Sequence, residues 1–270
     1  MLLEPQRTRY DLSWRMFGIP TRVHPFFWLA TLATGWAGKE THLGPWAVWV
    51  ACVFVSILLH EFGHALTARH FGASGLRVWL YWLGGLAISD GGLTRRQRII
   101  ELLMGPGAGF LLWGILFGFS FFYNYDDLAR YDGALFFYLW LAVQYLLFLN
   151  LIWGLVNLLP VYPLDGGQIA RELFLARRPR DGVLLSLRLS LFTALLIALF
   201  TLGVMLVNRV DPRLLAWLPI QPSEFTLLMF AGLALLSYQL SRPENLHAAQ
   251  EHSFQEYRQP WEQDADWWKK

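Results

Sequence analysis

Two histidines and a glutamate within five residues have the types and the spacing for metal-assisted hydrolysis. His60 and His64 are four residues apart, so on a helix both imidazoles lie on one face and can bind one ion. Glu61 is rotated by about 100° from His60, which lets it reach a water on that ion without being a ligand. This is the spacing of a zinc-hydrolase motif. The alternative is a pair of core histidines and a salt-bridged glutamate that match a short pattern by coincidence.

The motif lies near the end of an apolar segment that is long enough to cross a membrane. The segment runs from about 46 to 68, and a helix of that length, at about 1.5 Å per residue, crosses a hydrocarbon core of about 30 Å. Each charged group inside such a span costs about 2.5–3.5 kcal/mol on insertion scales. Because polar groups without a role are selected against there, the apolar setting favours the metal site over coincidence.

The composition is that of a polytopic membrane protein. Of the 270 residues, 55% are hydrophobic and only 16% are charged, whereas soluble domains carry about 25% charged residues. The single cysteine, Cys52, excludes a disulfide within the chain and a cysteine-based zinc site. Six apolar segments are predicted from the hydropathy pattern. They run at about 25–37, 46–68, 99–122, 136–159, 184–207 and 225–240.

The basic residues fall almost entirely on one side of the predicted membrane. If the six segments alternate, the amino terminus, the 69–98 and 160–183 connections and the tail share one side. The other side receives only four of the 22 lysines and arginines, namely Lys39, Arg130, Arg209 and Arg213. By the positive-inside rule the basic side is cytoplasmic. We therefore expect a multi-pass protein of the bacterial cell (inner) membrane with both termini in the cytoplasm.

The 69–98 connection contains a candidate β-hairpin. Residues 77–83 are aromatic and β-prone, the glycines at 84–85 allow a turn, and residues 86–88 form a second apolar run. Because an open strand edge does not face lipid, this hairpin should be covered by protein or lie at the interface. An extended substrate could add to its edge as a strand. An interfacial aromatic belt explains the same residues equally well.

A catalytic zinc requires three protein ligands, and few residues remain as candidates for the third. No other histidine lies within a predicted apolar span. Among the carboxylates near the spans, Glu101 and Glu172 have Arg98 and Arg171 close by in the sequence, and ion pairing explains both. Asp165 has no arginine beside it and is the favoured third ligand.

The residues around Asp165 support this choice. Pro160 and Pro163 end the preceding helix and force extended backbone at membrane depth, which is tolerated only beside protein or a cavity. The glycines at 166–167 then let the chain turn without side chains crowding the carboxylate. The alternative is a helix N-cap for a segment that starts at Gln168, and one carboxylate could serve both roles.

Two other polar or flexible features lie within the spans. Asn157 could donate a hydrogen bond to a developing oxyanion, and an interhelical hydrogen bond is a comparable alternative. Pro106 interrupts the third segment and frees the carbonyl of Leu102. Gly105 and Gly109 form a small-residue face there that lets another helix approach closely. Helix packing is the expected role of that face, and it is compatible with support of the motif helix.

Three motifs in this order resemble the site-2 protease family of intramembrane zinc metalloproteases. They are His60-Glu61-Phe62-Gly63-His64, Gly105-Pro106, and Asn157-Leu158-Leu159-Pro160 followed by Leu164-Asp165-Gly166-Gly167. The resemblance covers roughly residues 20–180 and implies a core of three helices with a membrane-associated β-hairpin between the first two. It also implies that His60, His64 and Asp165 hold one zinc ion, that Glu61 is the general base and that Asn157 lies near the active site.

We therefore expect an all-α polytopic membrane protein with about six transmembrane helices and a short membrane-associated β-hairpin after the second. A metalloprotease domain would cover 1–242, with its core at about 20–180 and extra helices at about 184–240, followed by a polar cytoplasmic tail at 243–270. The expected activity is zinc-dependent cleavage within or beside transmembrane segments, that is, regulated intramembrane proteolysis. The expected partners are a membrane-protein substrate with a transmembrane helix and the lipid bilayer, not nucleic acid. The alternative is a non-catalytic metal-binding scaffold or a transporter that uses these groups as an ion path.

Overall fold

The computed structural model describes residues 7–37, 42–82, 84–89, 92–130, 133–210 and 223–246. The α-helices in these ranges are α1 (Pro25–Ala37), α2 (Leu43–His70), α3 (Arg95–Phe119), α4 (Ala134–Asn157), α5 (Asp165–Arg177), α6 (Gly182–Val210) and α7 (Glu224–Ser241). The strands are β1 (Leu12–Met16), β2 (Ile19–Val23), β3 (Arg77–Tyr81) and β4 (Gly84–Ile88). From residue 247 onward the predicted tail lies outside the described residues.

Five of the described helices are long and apolar enough to cross a membrane, namely α2, α3, α4, α6 and α7. The first predicted segment forms α1, which has 13 residues and therefore rises only about 20 Å. That is less than the hydrocarbon thickness of about 30 Å. The prediction of a polytopic helical membrane protein is confirmed, with five candidate spans among the described helices and a shorter apolar helix, α1, before them.

The predicted hairpin after the second apolar segment is confirmed as β3 and β4, and it is half of a larger sheet. The strand order is β1-β2-β3-β4, with antiparallel pairs at the two ends and a parallel pair between β2 and β3. The hairpin of β1 and β2 was not predicted. Its two-residue turn, Phe17-Gly18, has positive φ at both positions, 51° and 79°, as the tight turns that match strand twist require.

The parallel pairing of β2 with β3 determines the path of the first two helices. α1 leaves β2, and α2 leads back to β3, so this helical hairpin begins and ends at one sheet. Two indoles join its helices: Trp46 donates to the Leu32 carbonyl at 3.1 Å, and Trp49 donates to the Thr34 hydroxyl at 3.1 Å. The segments before α1 and after α2 therefore lie together.

The core of the first compact unit, whose described residues run to Val156, is centred on α2. This helix contacts α1, α3, β3 and β4. A polar contact also joins it to α4, because the buried Asn150 amide donates to the Ser56 hydroxyl at 3.0 Å. Gly109 of α3 leaves room for Asn150, since a Cβ there would lie 3.3 Å from the amide oxygen. The small face predicted in α3 is thus a packing surface.

An ion pair tethers the amino-terminal segment to the sheet. Arg22 donates through Nε to the Asp11 carboxylate at 2.6 Å, and its guanidinium lies 5.1 Å from the centre of the Trp79 ring. Partial burial raises the pKa of Asp11, but hydrogen bonds from Thr8 and Arg22 outweigh this and hold the pKa below its ordinary value. Asp11 is therefore ionised at neutral pH.

The second compact unit begins at Asn157 and contains α5, α6 and α7. α6 packs against both of the other helices. The buried residues of this unit are mostly small, including Ala194, Thr201 and Ser237, and small residues let membrane helices approach closely. The last two predicted segments thus form a packed helical pair.

Candidate metal centre

The three residues of the His-Glu motif are buried on one continuous helix. His60, Glu61 and His64 are 6%, 5% and 5% exposed, and α2 runs without a break from Leu43 to His70. The Nε2 atoms of the two histidines are 3.1 Å apart. The predicted helical spacing therefore brings both imidazoles to one point, with Glu61 beside them in the chain.

The orientation of the His64 ring is set by the backbone of α3. The His64 Nδ1 atom lies 2.8 Å from the carbonyl oxygen of Glu101. Because a carbonyl can only accept, Nδ1 carries the proton and Nε2 presents its lone pair. This is the arrangement that outer hydrogen bonds impose on a metal-binding imidazole. A capping box between Thr94 and Gln97 determines where α3 begins and so where Glu101 lies.

Two glycines allow the close approach of α2 and α3. A Cβ on Gly105 would overlap the His64 ring, with its Nε2 atom nearest, and a Cβ on Gly63 would overlap the Met104 carbonyl oxygen. Both substitutions would force the helices apart. The Gly-Pro motif of α3 therefore provides the surface against which the His64 imidazole packs.

Glu61 packs against the edge strand of the sheet. A Cβ on Gly85 of β4 would overlap Cγ and Cδ of Glu61 and would lie 2.6 Å from its Oε1. Only a glycine fits at this position, because the β4 backbone lies directly on the carboxylate. This contact was not predicted. A glycine inside a strand pattern is a signal of close backbone approach, and that signal could have identified it.

Asp165 is the first residue of α5 and is 7% exposed. The N-cap of α5 is Leu164, so Asp165 is not the capping residue that the alternative interpretation required. The next two residues, Gly166 and Gly167, lie against loop backbone, because a Cβ on either would overlap main-chain atoms between 158 and 162. The glycines therefore let the turn fold back onto the start of α5.

Hydrogen bonds to α5 and α6 hold the loop between α4 and α5. The Tyr162 amide donates to the Ser190 hydroxyl at 3.0 Å, and the Gln168 side chain donates to the Pro163 carbonyl at 3.1 Å. Asn157, the last residue of α4, is 8% exposed. Its predicted role at the active site remains a prediction.

One group of His, Cys, Asp or Glu residues in the described part of the chain could hold a metal ion. It consists of His60, His64 and Asp165, which are all buried and whose potential ligand atoms lie within 4.8 Å of one another. Two imidazoles and a carboxylate are a donor set of catalytic zinc sites. Two nitrogen ligands on a tetrahedral zinc lie about 3.3 Å apart, close to the separation of the two Nε2 atoms. The residues fit the ion.

The two other carboxylates near the spans form the ion pairs that their spacing predicted. Arg98 lies 2.9 Å from Glu101, and Arg171 lies 3.5 Å from Glu172. Both glutamates are buried, Glu172 completely. Glu101 has a further neighbour that was not predicted, because its Oε1 lies 3.7 Å from the Nδ1 atom of His64.

The comparisons with known proteins agree with the motifs. The model of the family described as Peptidase family M50 matches residues 127–199. A zinc metalloprotease of Methanocaldococcus jannaschii is 29% identical over 59% of this chain and 44% of its own length. The stage IV sporulation protein FB of Bacillus subtilis is 26% identical over 83% of this chain and 67% of its own length.

A solved structure shows the same fold. The site-2 protease from Methanocaldococcus jannaschii superposes with a TM-score of 0.54 at 24% identity, over 86% of this chain and 96% of that one. The chain spans less than half the length of the archaeal curated relative. The motifs, the family model, the relatives and the fold together confirm that this chain resembles the site-2 protease family of membrane metalloproteases.

Proposed function

We propose that this chain is an intramembrane zinc metalloprotease that hydrolyses peptide bonds in or near transmembrane segments of other membrane proteins, as in regulated intramembrane proteolysis. One observation carries the proposal: His60, His64 and Asp165 form a buried group able to hold one metal ion, and Glu61 adjoins it on a helix long enough to cross a membrane. The similarity to zinc metalloproteases supports the same conclusion.

His60, His64 and Asp165 would hold the zinc ion. When bound, zinc supplies a Lewis acid that polarises a carbonyl group and lowers the pKa of water toward about 7. The two imidazole ligands are preorganised, because α2 fixes their separation and the Glu101 carbonyl fixes the His64 tautomer. Little reorganisation is then needed when the ion binds.

Glu61 would act as the general base. Its carboxylate would take a proton from the attacking water and pass that proton to the nitrogen of the leaving amine. The β4 backbone at Gly85 limits the positions that this carboxylate can occupy. Asn157 would donate its amide to the oxyanion that develops on the scissile carbonyl.

The sheet would present the substrate in an extended form. A transmembrane helix hides its carbonyl groups in its own hydrogen bonds, so it must unwind before hydrolysis. β4 is an edge strand of the sheet, and an unwound segment could pair with its open edge. Because Glu61 packs against the same strand, a segment bound there would pass close to the base.

The membrane arrangement proposed is a multi-pass protein of the bacterial inner membrane with both termini in the cytoplasm. The basic loops support this orientation. The pairing of β2 with β3 supports it too, because the helical hairpin of α1 and α2 returns to the side from which it starts. The metalloprotease domain would cover 1–242, with its core at about 20–180, followed by a polar tail at 243–270.

The test compares the wild-type chain with Glu61→Gln, which removes the base but leaves all three metal donors. Each variant is purified for zinc analysis and is also expressed in cells whose membrane proteins are surveyed for new amino termini. We expect about one zinc per chain in both variants, and cleavage of transmembrane proteins only in the wild type. Glu224→Gln is the matched control, since Glu224 is an exposed glutamate at the start of α7.

Two outcomes would refute the proposal. If Glu61→Gln gives the same set of new amino termini as the wild type, Glu61 is not the base. If zinc binds but neither chain cleaves any partner, the protein is better explained as a non-catalytic metal-binding scaffold or a transporter. Zinc-dependent binding of a partner would support the scaffold, and zinc-dependent flux would support the transporter.

A further inference from the structure

Glu101 is a buried carboxylate that the proposed reaction does not use. It lies in α3 and is 3% exposed, and burying a charge is costly unless the charge is paired and hydrogen-bonded. Arg98, one turn earlier, compensates part of that cost through a contact of 2.9 Å. An exposed pair with the same spacing would stabilise the helix without the cost of burying a charge. We therefore expect the buried Glu101 to have a further role besides its pair with Arg98.

That further role concerns His64 of α2. The Glu101 main-chain oxygen accepts a hydrogen bond from the Nδ1 atom of His64 at 2.8 Å, and its side-chain Oε1 lies 3.7 Å from the same nitrogen. At 3.7 Å the side chain forms no hydrogen bond, but its charge acts on the ring in a low-dielectric setting. One residue thus orients the imidazole through its backbone and places a negative charge behind it.

We propose that Glu101 is a positioning residue for the zinc ligand His64. Its carboxylate, held in place by Arg98, increases the electron density that the His64 Nε2 atom offers to the ion, although Glu101 does not touch the ion. Carboxylates behind metal-binding imidazoles raise the basicity of the ligand in this way. The inference rests on the proposed function, because it concerns the same metal site.

Glutamine at position 101 separates this role from a purely structural one. Glu101→Gln keeps the length of the side chain and an oxygen that can accept from Arg98, and it leaves the backbone carbonyl in place. It removes only the negative charge. If Glu101 merely pairs with Arg98, zinc affinity should not change, whereas an electrostatic role predicts a weaker site.

The experiment measures zinc affinity of the full chain by competition with a fluorescent chelator at one fixed pH. We expect Glu101→Gln to bind zinc about tenfold more weakly than the wild type, because it loses a nearby negative charge but keeps the backbone hydrogen bond to His64. Thermal unfolding of the zinc-free Glu101→Gln and Glu172→Gln forms should shift alike, because each loses a buried carboxylate beside an arginine. Glu172→Gln is the matched control, because Glu172 is also buried and also lies beside an arginine, at 3.5 Å. Its zinc affinity should stay within about twofold of wild type.

The outcomes separate this inference from the proposed function. If the wild type binds zinc and Glu101→Gln binds it equally well, the positioning role is wrong and the metalloprotease proposal stands. Equal losses in Glu101→Gln and Glu172→Gln would also overturn the positioning role, because they would reflect loss of any buried charge. If the wild type binds no zinc, the proposed function fails and this inference fails with it.

Discussion

Replacing Gly85 with alanine should disable Glu61 while leaving zinc binding intact. Gly85 lies in the edge strand β4, opposite Leu80 of β3. A Cβ at this position would lie 2.6 Å from the Glu61 Oε1 atom, whereas ordinary van der Waals contact begins at 3.4 Å. Either the strand or the carboxylate must move by close to 1 Å to relieve this overlap.

The expected effect follows from that displacement. A catalytic group that is misplaced by about 1 Å can cost about 100-fold in rate. We therefore expect Gly85→Ala to cleave substrate about 100-fold more slowly than the wild type. Zinc affinity should remain within about twofold, because the overlap falls on Glu61 and not on a proposed metal ligand.

The assay uses a membrane substrate that the comparison of wild type with Glu61→Gln identifies. Cleavage rate and zinc affinity are measured on the same preparations in a lipid environment. Gly84→Ala is the matched control, because it makes the same change one residue away in the same strand, where no atom lies within 4 Å of the new Cβ. It should cleave at the wild-type rate.

Two results would contradict the reasoning. If Gly85→Ala cleaves as fast as Gly84→Ala, the contact between β4 and Glu61 does not constrain the base. If Gly85→Ala loses zinc as well as activity, the substitution has disturbed α2 as a whole, and the effect cannot be assigned to Glu61.

Gly105→Ala should weaken zinc binding by about tenfold or more, because its Cβ would overlap the His64 ring, whereas Gly114→Ala, with open space around its Cβ, should not. Equal chelator-competition results for the two would contradict this. The pKa of Asp11 is lowered in the folded state from its ordinary value of 3.8. Its pair with Arg22 should therefore stabilise the sheet fully above pH 3.8, and this stabilisation should be lost as the pH falls through the lower folded-state pKa. Hydrogen-exchange protection of β1 and β2 should fall over that pH range in the wild type. In Asp11→Asn the protection should not change over the same range.

Local spacing was sufficient to predict most of the candidate site. The positions of His60 and His64 four residues apart, and the ion pair of Arg98 with Glu101 three residues apart, follow from the geometry of a single helix. The prolines and glycines around Asp165 indicated an irregular turn followed by a helix, which the structure contains as α5. The α1 helix also has the predicted bounds, 25–37, and its 13 residues make it shorter than the other apolar segments.

The contacts that hold the site in place depend on residues far apart in the chain. The glycines at 85 and 105 indicate close approach of another group, but the local pattern does not show that these groups are Glu61 and the His64 ring. It also does not show that the Glu101 carbonyl accepts from the same ring.

The sequence by itself determined which side chains could act as metal donors, because donor types and helical periodicity are local properties of the chain. The tertiary structure decided the orientation of each group. The parallel pairing of β2 with β3, the close approach of α2 to α3 and the contact of β4 with Glu61 all arise from packing. Packing selects among the many long-range contacts that the same local pattern would permit.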